Sequence, residues 1–178
     1  MERILIIGSG GAGKSTLARE LGGILNLPVI HLDQLFWHSG WIETLSEEWI
    51  KVIESKIAQP RWIMDGNYGG TMDLRLTAAD TVIFLNLSRW LCLRRALGRS
   101  FQYRGKARPD MTEGCPEKWD FEYLKFLKWI WTYPQEKAPG ILKMLEDLKP
   151  TKRVLILQSP REVKMLLEVL KASTERRS

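Results

Sequence analysis

The chain has 178 residues, of which 44% are hydrophobic and 27% charged, so it carries enough apolar side chains for the core of one ordinary domain. This composition excludes global disorder and collagen, and two cysteines outside any CxxC spacing exclude a disulfide scaffold. The first residues resemble no secretion signal and no apolar run reaches the roughly 18 residues of a membrane span, so we expect a cytoplasmic protein. The formal charge is +6, and seven basic residues without an acidic one lie between Arg89 and Arg108.

Short β-branched runs alternate with segments of helical spacing along the chain. The runs predict strands at residues 3–8, 28–32, 61–65, 81–87 and 153–158. Helices are predicted at about 14–25, 46–58, 88–101 and 160–171, with Ser46 and Ser88 as caps. This alternation predicts an α/β fold with a parallel sheet covered by helices on both faces, in a single domain over residues 1–178.

The pattern stops between residues 102 and 118. Gly105, Pro109, Gly114 and Pro116 punctuate a polar stretch that suits neither a helix nor a central strand. We therefore predict a mobile loop at about 102–118.

The strongest motif is GSGGAGKS, which fits G-x-x-x-x-G-K-[ST] between the first strand and the first helix. Backbone N–H groups of such a loop converge on phosphate oxygens, its lysine reaches the β- and γ-phosphates, and its serine can hold Mg²⁺. The alternative is a glycine-rich turn with an exposed lysine. We predict an ATP phosphate site formed by Gly8, Ser9, Gly10, Gly11, Ala12, Gly13, Lys14, Ser15 and Thr16.

Other landmarks narrow the class of nucleotide-binding protein. The chain has no N-K-x-D for reading guanine, and it is too short for the large remodelling and transport ATPases, so a small kinase remains. Asp65 ends the third strand beside the phosphate loop, and we predict that it binds Mg²⁺ through water, together with Ser15. Its alternative role is that of a turn residue before Gly66.

Asp33 follows the second predicted strand, and the carboxyl ends of parallel strands line the ligand crevice of such sheets. A carboxylate there can orient an attacking hydroxyl or accept its proton, although Asp33 could instead cap a short helix. Trp37 and Trp41 follow closely and are candidates for a pocket wall. His31 and His38 have no metal-ligand pattern around them, so we expect histidines of the core or the surface rather than a metal site.

Arg95 and Arg99 lie one helical turn apart before the polar loop, where the basic run continues. Cations around the γ-phosphate are the main source of catalysis in phosphoryl transfer, so we predict Arg95 and Arg99 as catalytic residues, and Arg99 and Arg104 as nucleotide contacts. The loop would then be a closing lid. A solvated basic face or a nucleic-acid patch is the alternative.

Aromatic residues crowd the segment after this loop. Trp119, Tyr123, Phe126 and Ile130 share one helical stripe, which is more typical of a core than of rings that stack on bases.

The sequence resembles small P-loop kinases related to adenylate kinase and, within them, the bacterial DNA topology modulation proteins. The resemblance rests on GSGGAGKST, HLDQLFWHSGW, WIMDGNYGGTMDLRL, LRRALGR and QYRGKARPDMTEGCPEKWD, and it extends over nearly the whole chain. It implies strand order 2-3-1-4-5, an acceptor region after strand two and a lid after strand four. The D-G of Asp65 and the R-x-x-x-R of Arg95 match adenylate kinases, whereas Asn67-Tyr68-Gly69-Gly70 replaces their F-P-R, so an AMP-like acceptor does not carry over.

These observations favour an enzyme that transfers the γ-phosphoryl group of Mg-ATP to a small acceptor of nucleoside, nucleotide or other hydroxyl type. A nucleotide-binding protein that acts on DNA through the basic patch, or a simple hydrolase, is the alternative. The sequence does not define the acceptor or the oligomeric state.

Overall fold

The computed structural model describes residues 1–106 and 110–176. Its main sheet consists of five parallel strands, and a short antiparallel hairpin lies beside it. The strands of the main sheet are β1 (Arg3–Gly8), β2 (Val29–His31), β5 (Trp62–Asp65), β6 (Thr81–Leu85) and β7 (Arg153–Leu157), and those of the hairpin are β3 (Trp37–His38) and β4 (Ile42–Glu43). The order across the main sheet is β2-β5-β1-β6-β7.

Helices connect the strands. They are α1 (Lys14–Leu25), α2 (Leu32–Phe36), α3 (Ser46–Ile57), α4 (Met72–Ala78), α5 (Arg89–Gln102), α6 (Phe121–Glu136), α7 (Ala138–Leu148) and α8 (Pro160–Glu175), and a 3-10 turn spans Gly69–Thr71. Asp120 and Ser159 cap α6 and α8 through their side-chain oxygens.

Alternate residues of the strands form two apolar layers. In β1, Ile4 and Ile6 face the layer made with α1, α5 and α8, whereas Leu5 and Ile7 face α3, α4 and α7. Every residue of β5 and β6 is also buried, as expected for central strands of a parallel sheet covered on both sides.

The predicted fold class is confirmed. The order β2-β5-β1-β6-β7 is the predicted order 2-3-1-4-5 once β3 and β4 enter the numbering. The hairpin and α4 were not predicted, because their segments are short. Helix α7 was not predicted either, although its apolar residues recur at helical spacing. Ser46 is the first residue of α3 rather than its cap, which is Leu45.

The aromatic stripe is only partly in the core. Tyr123 and Ile130 are buried, but α6 begins at Phe121, so Trp119 lies outside the helix and is 57% exposed. The prediction that Trp119 belongs to the core is therefore wrong, since the stripe extended the helix two residues too far.

The register of the sheet determines where polar side chains meet. Ile6 of β1 lies beside Asp65 of β5, and His31 of β2 lies on the other side of Asp65. The carboxyl ends of these three strands therefore share one edge of the sheet, and the phosphate motif follows directly after β1 at that edge.

Candidate functional site

The loop between β1 and α1 has the backbone conformation that a phosphate cradle needs. Gly11 and Gly13 have φ values of +73° and +97°, which side chains other than glycine rarely adopt. A Cβ at Gly11 would also collide with the carbonyl of Cys92. Gly13 is the N-cap of α1, so the free N–H groups of the first helical turn point into the loop and favour an anion there.

Lys14 lies across this loop. Its Nζ donates hydrogen bonds to the carbonyls of Gly8 at 3.0 Å and Ser9 at 3.1 Å. Burial lowers the pKa of Lys14, while the charges of Asp33 and Asp65 oppose that shift. The Lys14 side chain is therefore half-buried between the cradle and two carboxylates, rather than exposed on a turn.

Ser15, Asp65 and His31 form a chain of hydrogen bonds at the carboxyl edge of the sheet. The Ser15 hydroxyl donates to Asp65 Oδ2 at 2.8 Å, and His31 Nδ1 lies 2.5 Å from Asp65 Oδ1. Burial alone would lower the pKa of His31, but its hydrogen bond to Asp65, and the charges of Asp65 and Asp110, raise it above the ordinary value. His31 thus holds the carboxylate, a role that its sequence surroundings did not indicate.

Mg²⁺ fits this donor pair. A hydroxyl and a carboxylate within hydrogen-bond distance offer the hard oxygen ligands that Mg²⁺ prefers, and few protein ligands suffice because the ion keeps several waters. Among the described residues, no cluster of three or more His, Cys, Asp or Glu forms a metal site made of protein ligands alone.

The acceptor wall is the part of the site formed by α2, the β3–β4 hairpin and the loop after β5. Asp33 lies in the first turn of α2, whose N-cap is His31, so Asp33 is not the cap itself. Its Oδ1 accepts a hydrogen bond of 2.7 Å from the hydroxyl of Tyr68. Trp37 and Trp41 meet edge to face at 5.4 Å and line the cavity beside Asp33, as predicted for a pocket wall.

The two predicted arginines lie on the side of α5 that faces the phosphate loop. Arg95 Nη1 donates to the carbonyl of Ala12 at 3.2 Å, and Arg99 Nε lies 3.7 Å from Glu117 Oε1. Arg104 does not line the cavity in the described part of the chain, and its backbone pairs with Glu117 instead. Its contact with nucleotide stays a prediction.

Part of the predicted lid lies against the acceptor wall. Trp41 Nε1 donates to the carbonyl of Pro116 at 3.1 Å, the Gly40 N–H donates to the Gly114 carbonyl at 2.9 Å, and Thr112 Oγ1 donates to the Gln34 carbonyl at 2.9 Å. Residues 107–109, including Arg108 and Pro109 of the predicted lid, lie outside the described residues.

One cavity of about 1920 Å³ joins these groups. Its lining includes Gly10 to Thr16 of the loop but neither Gly8 nor Ser9, whose contact with nucleotide stays a prediction. It also includes the other predicted side chains, Asp33, Asp65, Arg95 and Arg99. A site for one drug-sized ligand measures about 300–1,000 Å³, so this cavity is larger than one such site, and it also extends along α1 and α8.

Sequence reasoning missed four residues that organise this site: His31, Asn67, Tyr68 and Arg75. Their contacts are long-range, so local spacing does not reveal them. The available signal was position, because HLD and DGNY directly follow neighbouring strands at the edge where the phosphate loop begins.

Solved structures with a similar fold are small-molecule kinases. A gluconokinase from Sinorhizobium meliloti 1021 has 14% identity and a TM-score of 0.53, with 98% of this chain and 92% of that chain covered. A shikimate kinase from Bacteroides thetaiotaomicron has 18% identity and a TM-score of 0.52, with 98% of both chains covered. A shikimate kinase from Acinetobacter baumannii in complex with shikimate has 15% identity and a TM-score of 0.53, covering 99% and 94%.

These similarities show that the chain has the P-loop kinase fold. No protein-family model and no curated protein matches the chain, so its resemblance to the DNA topology modulation proteins stays a prediction. None of the helices in residues 1–106 and 110–176 combines the length and apolar character that a bilayer span needs.

Proposed function

We propose that the protein transfers the γ-phosphoryl group of Mg-ATP to a hydroxyl group of a small acceptor. The observation that carries this proposal is one cavity of about 1920 Å³ whose lining includes both the phosphate loop and Asp33 with an aromatic wall. A hydrolase needs space for one nucleotide and water, whereas a kinase needs adjoining sites for two substrates.

We assign phosphate and metal binding to the residues around the loop, and activation of the acceptor hydroxyl to Asp33. The loop N–H groups and Lys14 bind the phosphates, and Ser15 and Asp65 are the residues that would hold Mg²⁺ through its waters. When bound, Mg²⁺ supplies positive charge to the phosphate oxygens. Asp33 orients the acceptor hydroxyl and takes its proton while the acceptor oxygen bonds to the γ-phosphorus and the bond to the bridging oxygen of ADP breaks.

Arg95 and Arg99 are proposed to stabilise the charge that spreads over the γ-oxygens. Both line the cavity on the phosphate side, Arg95 within reach of the loop carbonyl of Ala12. A cation aligned with those oxygens stabilises the transition state more than the ground state. Residues 102–118 are proposed as the lid, supported by their hydrogen bonds to the acceptor wall.

The basic patch has a divided geometry that supports this proposal over the DNA-binding alternative. Arg95 and Arg99 line the cavity, but the Arg89 guanidinium lies 4.9 Å from the centre of the Trp131 ring. A duplex-binding surface needs its cations on one face to follow a row of phosphates. In α5, Arg95 and Arg99 instead face the cavity, whereas Arg89 packs on the Trp131 ring.

The charge of the acceptor wall suggests which acceptors to test first. Asp33 and Glu43 line this wall, and the described lining residues in 33–43 and 66–68 include no lysine or arginine. The described part of the proposed lid lines the cavity with Asp110, Glu117 and one cation, Lys118. An acceptor that carries its own phosphate or carboxylate would meet like charge there. We therefore expect uncharged hydroxyl compounds to be better acceptors than anionic ones.

The test is ADP release from ATP and Mg²⁺ with a panel of matched pairs, in which each nucleoside is paired with its monophosphate and each polyol with its acid. We expect one uncharged compound to raise ADP release at least about tenfold over the basal rate, with one phosphorylated product per ADP. Lys14→Ala is the control for contaminating kinases. ADP release that no compound stimulates would indicate a hydrolase, and stimulation by DNA that falls steeply with salt would indicate the DNA-binding alternative.

A further inference from the structure

Arg75 of α4 is a fully buried arginine, and its guanidinium donates four hydrogen bonds to backbone carbonyls of one loop. Its Nη1 donates to the carbonyl of Gly66 at 2.9 Å, and its Nη2 donates to those of Asn67 at 2.6 Å and Tyr68 at 2.7 Å. Its Nε donates to the Thr71 carbonyl at 3.2 Å. Burial lowers the pKa of Arg75 to about 10, so it is still charged at neutral pH.

Burying a charged group costs free energy unless the group is hydrogen-bonded. The planar guanidinium of Arg75 meets this need by donating to four backbone carbonyls. The loop after β5 is therefore held at successive backbone positions, which is more constraint than a surface turn needs.

The same loop is tied to the phosphate cradle. Asn67 Nδ2 donates to the Gly8 carbonyl at 2.8 Å, and the Gly8 N–H donates to Asn67 Oδ1 at 3.1 Å. This paired contact makes the Asn67 amide continue the hydrogen bonding of the sheet beyond β5. The position of the loop is thus fixed relative to the first residue of the GSGGAGKS motif.

Tyr68 extends from this loop toward the acceptor wall. Its φ is +29°, a conformation that costs energy for a residue with a side chain and persists only when its surroundings enforce it. Its ring packs against Phe36 at 4.7 Å and Trp49 at 5.1 Å, and its hydroxyl donates to Asp33 Oδ1 at 2.7 Å.

We propose that Tyr68 is a positioning residue that holds the Asp33 carboxylate at a fixed distance from the phosphate loop, and that Arg75 and Asn67 are its anchors. The inference rests on the proposed function for the role of Asp33. It adds a specific claim, namely that the proton acceptor and the phosphate cradle are aligned through one loop, Gly66 to Thr71. Misplacement of a reacting group by about 1 Å can cost about 100-fold in rate, so such alignment matters for catalysis.

Tyr68→Phe is the first test, because it removes the hydroxyl and keeps the ring that packs in the wall. We expect kcat/KM for the acceptor to fall at least about tenfold, while KM for ATP stays within about twofold, since the phosphate loop is untouched. Tyr133→Phe is the matched control. Tyr133 is also buried, and its hydroxyl has no hydrogen-bond partner within the described part of the chain.

Arg75→Lys tests the anchor, with Arg61→Lys at a half-exposed arginine as its control. Lysine keeps the charge but loses the planar fork, so we expect a smaller acceptor kcat/KM together with lower thermal stability. If this variant is too unstable to assay, the conclusion is drawn from Tyr68→Phe.

Crystal structures of the parent and Tyr68→Phe give a readout that does not depend on turnover. We expect the Asp33 carboxylate to rotate or shift by about 1 Å relative to Gly8 in the variant. An unmoved carboxylate, or an acceptor kcat/KM within twofold of the parent, would overturn the proposal. If no acceptor is phosphorylated by the parent but Asp33 moves in the variant, the proposed function fails and the positioning role of Tyr68 stands.

Discussion

At one end of the cavity, the phosphate loop is a continuous stretch of chain whose shape comes from its own glycines and the start of α1. At the other end, the acceptor wall is assembled from α2, the hairpin and the loop after β5, and its side chains depend on contacts between residues distant in sequence. The proposed phosphate site is therefore encoded largely in local sequence, whereas the proposed acceptor wall depends on tertiary contacts. Substitutions at the two ends should therefore have different consequences.

The largest effect is expected at the phosphate end. Lys14→Ala removes the cation that lies between the cradle and the carboxylates, so turnover should fall at least about 100-fold. Thermal stability should change little, because the lost hydrogen bonds to Gly8 and Ser9 are offset by the relief of burying a charge. Lys51→Ala in α3 is the control at an exposed lysine. Unchanged ATP turnover in Lys14→Ala would remove the phosphate site from its proposed role.

Asp65→Asn should have the next largest effect. The change removes the carboxylate charge without loss of volume, so the Mg²⁺ concentration for half-maximal turnover should rise by about tenfold or more. Melting temperature should be affected less than the metal dependence, since the amide oxygen can still accept from Ser15 and the amide N–H can donate to Nδ1 of a neutral His31. The measurement is a Mg²⁺ titration of turnover beside a thermal melt, with Asp73→Asn as the control. An unchanged titration would make Asp65 a structural partner of His31 only.

The same distinction explains how far the sequence could be interpreted. GSGGAGKS specified the phosphate loop, and the alternation of apolar runs specified the parallel sheet, because both depend on neighbours in the chain. The sequence also placed Asp33 and Asp65 at one edge, since strand ends in such a sheet meet there.

The remaining contacts depend on tertiary structure. The hydrogen bond between Tyr68 and Asp33 joins residues 35 positions apart, and that between His31 and Asp65 joins residues 34 apart. A lone histidine after a strand is compatible with many roles, and nothing local distinguishes them. Similarly, Arg75 is one of several arginines in the sequence, and only the packing of α4 shows that it is buried.

A smaller effect is expected for the contact between the proposed lid and the acceptor wall. Trp41→Phe removes the hydrogen bond to the Pro116 carbonyl, so trypsin should cut more readily after Arg104 or Lys106, by about two- to tenfold. ATP with Mg²⁺ should slow this cleavage in the parent, because bound phosphates would hold the arginines around the loop. Trp90→Phe, at an exposed tryptophan of α5, is the control.

The proteolysis also separates the alternatives for the basic patch. Protection by ATP supports the lid. Protection by double-stranded DNA but not by ATP would contradict it and favour the DNA-binding alternative.

The smallest effect is expected at the opposite edge of the sheet, far from the phosphate loop. Asp80 Oδ2 accepts hydrogen bonds of 2.9 Å from the backbone N–H groups of Glu2 and Arg3, and Thr81 donates to Oδ1 at 2.6 Å. Partial burial alone would raise the pKa of Asp80, but these hydrogen bonds and the charge of the N-terminus lower it below the usual 3.8.

A lowered pKa means that the ionised Asp80 carboxylate stabilises the folded state above the unfolded-state pKa. This stabilisation is lost as the pH falls through the folded-state pKa. Asp80→Asn should therefore reduce the free energy of unfolding by about 1 kcal/mol at pH 7, and the difference from the parent should shrink as the pH falls below 3.8. Urea unfolding at several pH values measures the difference in the free energy of unfolding. Turnover per folded molecule should be unchanged, since Asp80 lies at the edge of the sheet opposite the proposed site.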